Sequence, residues 1–204
     1  MKMKLKRRSK IINFCLFFLV LFYFTNKKEK VKVNNIDNHK IKDFDLIISK
    51  GQSAQSKFIG LLNYSIEDYS HIGIIKKKGD SIFVLHSTPD GTETNGIRFD
   101  NLQKFLDLSD VNDYTVLRFQ NISNRFHYNL NVEFEKLKKG QAPFDYDFNN
   151  FDHGKIYCSE LVCIILKNSR LSTLQEFDMS KPIYPKYFFK VKGFVKINTK
   201  KISQ

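Results

Sequence analysis

The stretch Gly154-Lys155-Ile156-Tyr157-Cys158-Ser159-Glu160-Leu161-Val162-Cys163-Ile164-Ile165-Leu166 decides how the rest of the chain is read. Leu161, Val162, Ile165 and Leu166 recur at helical spacing from Cys158, so one side of the segment is an apolar stripe bound for a core. Gly154 ends the loop before it, which puts Cys158 near the first turn of a helix. Unpaired backbone N–H groups and the positive end of the helix dipole gather there and favour an anion. A thiol so placed is expected to have a lowered pKa and to be nucleophilic at neutral pH. The competing reading, at equal weight on this stretch alone, is a small buried hydrophobe. Histidines elsewhere bear on the choice.

Residues 69–76 and 81–87 read as two strands joined by Lys77-Lys78-Gly79-Asp80. Gly79-Asp80 suits a type II′ hairpin turn, with glycine at the first central position. In that register Lys78 pairs with Ser81 and His86 faces Gly73. His71 and His86 then become diagonal neighbours on one face, roughly 7–8 Å apart at the backbone. A turn at Lys78-Gly79 would set the two directly opposite, and a three-residue turn would put them on different faces. The alternative is two unrelated surface histidines.

The rest of the chain interleaves short elements. Residues 44–49 form a strand and 53–62 a short helix with Phe58, Ile59, Leu61 and Leu62 apolar. Residues 96–99 return as a strand, and Asp100 or Asn101 can cap a short helix carrying Leu102, Phe105 and Leu106 inward. Residues 114–120 alternate as a strand. Asn124 is expected to cap a longer helix with Phe126, Leu130, Phe134 and Leu137 on one face, closed by Gly140. The loop 142–148 leads to the cysteine helix, and a strand over 193–198 finishes the domain. The tight hairpin implies an antiparallel sheet within this mixture, so the class is α+β.

The formal net charge of +13 invites a nucleic-acid reading, but its location argues otherwise. Lys2, Lys4, Lys6, Arg7, Arg8 and Lys10 supply six charges and residues 26–32 a net +3, which leaves +4 for residues 33–204. The body is only mildly basic, and no nucleic-acid partner is expected. Between the two basic flanks lies the apolar segment 11–24, broken only by Asn13. As a helix its 14 residues would span roughly 21 Å against roughly 30 Å of hydrocarbon. No small-x-small cleavage site follows it, so residues 1–25 are read as an uncleaved signal anchor in preference to a cleaved signal peptide. The charges ahead of it would send the body out of the cytoplasm. Residues 26–40 read as a polar tether, 41–198 as the catalytic domain and 199–204 as a tail.

Of three cysteines, Cys15 lies in the apolar segment, while Cys158 and Cys163 sit five positions apart on one helix. That spacing is roughly 140° around the axis, so the two cannot easily meet. No disulfide framework exists, and an unpaired thiol in an exported protein suggests catalysis. Cys158, His71 and His86 are then a possible nucleophile, base and orienting group. His153 is the one competing base close to Cys158 in sequence. Asp145 and Asp147 are expected to hydrogen-bond within their loop, not to act as an acid/base pair.

Ser70-His71-Ile72-Gly73-Ile74-Ile75, Phe144-Asp145-Tyr146-Asp147-Phe148 and Tyr157-Cys158-Ser159-Glu160-Leu161-Val162 together resemble the circularly permuted papain-like hydrolases, in the YiiX-like branch of the NlpC superfamily. Phe44-Asp45-Leu46-Ile47 is similar to the Gly-Asp-Leu-Ile strand that opens the domain there, with Phe44 replacing glycine. The resemblance covers roughly residues 41–190. It implies a permuted papain-like fold, a small antiparallel sheet packed against helices with the nucleophile at a helix N-terminus. It also implies Cys158 as nucleophile, His71 as base and the third polar residue on the following strand, where His86 stands. Relatives carry a carboxylate near that place, and Glu93 is a substitute in a turn. Asp45 is structural in such strands.

The function expected is therefore a thiol hydrolase of amide or ester bonds that passes through a cysteine acyl-enzyme, with no cofactor. Its partners would be a peptide, amide or lipid substrate and, through the N-terminal segment, a membrane. The rivals are a catalytically silent ligand-binding domain of the same fold, and a zinc site built from the two histidines and the cysteine.

Overall fold

Leu46, Ile47 and Ile48 are all fully buried, as a strand covered on both faces requires, and this strand is the centre around which the computed structural model is built. Residues 36–51, 69–89, 95–120, 122–150, 154–171 and 180–198 are described, all of them within the unit Val31–Gln204. The central strand is β1 (Leu46–Gly51), flanked by β2 (His71–Lys78) and β5 (Ser109–Phe119). Outward from β2 lie β3 (Ser81–Thr88) and β4 (Gly96–Asn101); outward from β5 lies β6 (Phe194–Ile197). The order β4-β3-β2-β1-β5-β6 is antiparallel at every junction. The α+β class and the small antiparallel sheet hold as expected.

Two-residue alternation sorts the side chains onto two faces. Leu46, Ile48, Ile72, Ile74, Leu85 and Leu117 pack under α2 (Asn124–Lys139) and α3 (Cys158–Asn168). Ile47, Ile75, Val84 and Val116 face the other way, onto α1 (Leu102–Leu106) and the buried Ile36 and Ile41. Gly79 has φ +59 and Lys78 pairs with Ser81, so the hairpin turns on Gly79-Asp80 and His86 sits opposite Gly73. The register is the one the turn chemistry predicts.

Some boundaries move. Ser123, not Asn124, caps α2: its hydroxyl accepts from the Phe126 N–H at 3.2 Å. Asn101 caps α1 by accepting from the Lys104 N–H, which frees Asp100 for another use. Gly140 closes α2 in an extended conformation, without the left-handed turn a glycine permits. The expected helix over 53–62 lies outside the described residues.

The membrane-anchor expectation needs correction. Among the described residues no helix is long and apolar enough to cross a membrane. The longest of them, α2, has 16 residues, about 24 Å of rise, and carries a charged outer face. The apolar segment 11–24, on which that expectation rested, lies outside the described residues.

Candidate active site

Helix α3 begins on Cys158, with Tyr157 as the preceding cap residue. Side-chain hydrogen bonds hold its entry from three directions. The Tyr157 hydroxyl donates to Asn150 Oδ1 and accepts from the Ile183 N–H at 2.9 Å, while Ser87 Oγ on β3 donates to the Ile156 carbonyl at 2.6 Å. Asp145, almost fully buried, accepts from the N–H groups of Asp147 and Asn149, so it stiffens the loop before the helix. Apolar contacts of Leu161, Val162, Ile165 and Leu166 then seat α3 across the sheet. Cys163 is buried in the same core.

Cys158 is 3% exposed, and its thiol lies 4.0 Å from the Ser70 carbonyl oxygen and 3.9 Å from Ser159 Oγ. Burial pushes its pKa up; the Ser159 hydroxyl and the N–H groups of Ile72, Ser159 and Cys158 itself pull it only partly back. The expected lowering is therefore overturned. At this helix start desolvation outweighs the hydrogen-bond donors that favour an anion.

Both histidines are buried, not on the surface. His71 Nε2 is 3.0 Å from His86 Nδ1, and His86 Nε2 is 3.3 Å from Asp100 Oδ2. The His71 ring stacks on Phe105 at 5.0 Å, with 23° between the planes. Gly73 makes room for this pair: a Cβ there would strike Val84 Cγ1 and lie 2.9 Å from the Leu85 carbonyl and 3.1 Å from His86 Cβ. Burial, then the neighbouring His86, holds His71 well below its ordinary pKa. Burial also lowers His86, against the pull of Asp100 and with help from Arg98 and Lys104. For Asp100 the upward push of burial is overridden by hydrogen bonds from His86 and Lys104 and by the charge of Arg98, so its carboxyl titrates far below the usual range. At neutral pH the site thus holds a neutral thiol, two neutral imidazoles and a carboxylate.

The structure joins His71 to His86 but not Cys158 to His71. Among the described residues no hydrogen bond links that thiol and that imidazole. Strand alternation is the reason. Ile72 faces α3, whereas His71 and Gly73 face α1, so the thiol meets the backbone on either side of His71 instead of its ring. Asp100 is the site residue that sequence reasoning missed. It stands diagonal to His86, since His86 pairs with Arg98, and carrying the strand 96–99 two residues further would have found it. Glu93 and His153 lie outside the described residues.

The family model for permuted papain-like amidases of the YaeF/YiiX type, the C92 peptidases, matches residues 40–202. The chain belongs to that family. Among solved structures it is similar to one titled metalloprotein YiiX from Escherichia coli O157:H7, with a TM-score of 0.60 and 21% identity over 79% of this chain and 98% of that one. At that identity the likeness speaks for the fold. No curated protein matches.

Two features of this amidase-family chain bear on its motifs. Phe44 has φ +66, the left-handed region that glycine occupies without strain, and it stands where the resembling strand carries glycine. Asp45 is bound bidentately by Arg118, Nε to Oδ1 at 2.9 Å and Nη2 to Oδ2 at 2.7 Å, which is a structural role. A metal does not fit the two histidines and the cysteine as they stand. His71 Nε2 and His86 Nδ1 face each other and His86 Nε2 faces Asp100, so three of the nitrogens are already engaged. Among the described residues no group of three or more metal-ligating side chains is assembled.

Proposed function

We propose that this chain hydrolyses amide bonds through an acyl-thioester on Cys158, with His71 as the base and His86 as the group that orients it. The observation that supports this most is the buried His71–His86 hydrogen bond on the strand whose backbone lines the thiol, in a member of an amidase family. Because thiol and imidazole are both neutral at rest, the proton moves from sulfur to His71 as sulfur attacks the substrate carbonyl, not before. A C–S bond forms, and backbone N–H groups at the first turn of α3, which already face the sulfur, steady the oxyanion. The C–N bond then breaks as His71 returns the proton to the leaving amine. Water, deprotonated by His71, cleaves the thioester and restores the thiol. Because the His71 ring faces α1, this reading requires thiol and imidazole to be brought together in the substrate complex. Cell-wall-type peptides and acyl-lipid amides or esters are the substrate classes to try.

The missing thiol–imidazole hydrogen bond, together with the buried thiol, favours a second reading: a ligand-binding domain of this fold without turnover. The two are separated by incubating the full chain with acyl p-nitroanilides and p-nitrophenyl esters and following intact mass and p-nitrophenol or p-nitroaniline release. An acyl adduct on Cys158, lost in Cys158→Ser and slowed in His71→Ala, is the expected result. Absence of any adduct across the panel, with Cys158 alkylation by iodoacetamide indifferent to His71→Ala, would sink the hydrolase.

A further inference from the structure

The hydrogen-bonded chain that starts at His71 ends on Asp100, a carboxylate only 7% exposed. Asp100 Oδ2 receives Arg98 Nε at 2.9 Å as well as His86 Nε2, and Oδ1 receives Lys104 Nζ at 3.0 Å. An ionised carboxylate can only accept, so the hydrogen between it and His86 sits on His86 Nε2. A neutral imidazole carries one N–H, so His86 Nδ1 bears a lone pair and accepts. The hydrogen between the two rings then sits on His71 Nε2. What remains on His71 is a lone pair on Nδ1.

We infer that Asp100 is a positioning residue that sets the tautomer of both histidines and makes Nδ1 of His71 the proton-accepting atom. Its consequence for catalysis rests on the hydrolase reading; the tautomers themselves do not. Arg98 and Lys104 belong to the device. A cationic His86 would donate from both nitrogens, force His71 Nε2 to accept, and leave the hydrogen on His71 Nδ1, where it would block the base. With two cations on the same carboxylate, Asp100 orients His86 without drawing a second proton onto it. When His71 takes the thiol proton on Nδ1, it still donates from Nε2 to His86, and no proton passes on to Asp100.

The first test needs no variant. Two-bond 1H–15N correlation spectra of the full chain, labelled at histidine and recorded at pH 7, should show an Nε2–H tautomer for His71 and His86. An Nδ1–H on either ring overturns the inference. The second test compares Asp100→Leu, which removes the acceptor, with Asp100→Asn, whose carbonyl oxygen can occupy the Oδ2 position. In Asp100→Leu the His86 tautomer should become mixed, and iodoacetamide alkylation of Cys158 at pH 7 should slow roughly tenfold or more. Asp100→Asn should keep the wild-type spectrum and most of the rate. An Asp100→Leu protein that unfolds at the wild-type temperature and keeps both tautomers also overturns it; if that variant does not fold, the wild-type spectrum decides. Failure of the hydrolase reading looks different: alkylation indifferent to His71→Ala beside an unchanged tautomer spectrum.

Discussion

At the scale of single residues, the site is governed by desolvation. His71 and His86 titrate below 6.5 in the folded chain because burial penalises their cations, while in the unfolded chain they return to about 6.5. The folded state therefore binds fewer protons below that pH. Stability is at its full value above about 6.5 and falls as the pH drops toward the folded-state pKa values, by up to about 1.4 kcal/mol per pH unit for each ring. Urea midpoints at pH 7.5, 6.5 and 5.5 should decline across the lower interval, and a His86→Gln variant should flatten that decline. The same shift keeps the base competent in mild acid, so Cys158 alkylation assisted by His71 should persist below pH 6.5. Gly73 is the other residue-scale determinant. A methyl there meets Leu85 backbone at 2.9 Å, which cannot yield as a flexible side chain would, so Gly73→Ala should cost about 1–3 kcal/mol by overpacking. It should also displace His86, read as loss of the His71–His86 signature in the spectra described above.

Individual elements balance propensity against packing. Phe44 enters β1 from a left-handed conformation that costs a non-glycine residue roughly 1–2 kcal/mol. Its ring is 4% exposed, edge-on to His127 at 5.0 Å and to Phe134 at 6.0 Å, with the Lys76 ammonium 4.6 Å from its centroid. Removing a buried phenylalanine costs about 3–5 kcal/mol, so packing wins over strain and the residue is retained. Phe44→Gly should therefore lower stability by roughly 1–4 kcal/mol despite relieving the backbone; a thermally stabilised variant would contradict this balance. Helix α2 begins on the Ser123 cap and ends with Lys136, Lys138 and Lys139, cations at the negative end of its dipole. Ser123→Ala should cost about 1 kcal/mol in chemical denaturation and leave Cys158 alkylation unchanged.

At the scale of the described domain, an ion pair between the buried Asp45, the residue before β1, and the partly buried Arg118 of β5 ties the two strands together beside their backbone ladder. Asp45 is nearly inaccessible; besides Arg118 it accepts from the Lys42 N–H at 2.8 Å, and Arg118 Nη2 donates to the Lys40 carbonyl at 2.5 Å. Cutting such a pair on one side strands a buried charge, which typically costs 3–5 kcal/mol. Arg118→Leu should show that loss in urea unfolding at pH 7, and the double variant with Asp45→Asn should recover part of it. An unchanged midpoint in the single variant would mean that the pair does not hold the two strands together.

Local chemistry was legible from the chain itself. The Gly79-Asp80 turn determined the hairpin register, because a two-residue loop leaves one way to pair the strands, and the pleat then places His71 and His86 on one face. Apolar spacing after Cys158 determined that a helix begins there and which residues seat it. Distant packing was not legible. Which strands flank β1 and which sheet face α3 covers depend on segments far apart in sequence. Burial is a property of that assembly and not of any stretch. It raised the thiol that the helix start alone would have lowered, while the seating of α3 on the Ile72 side of β2 left the imidazole on the α1 side, away from Cys158.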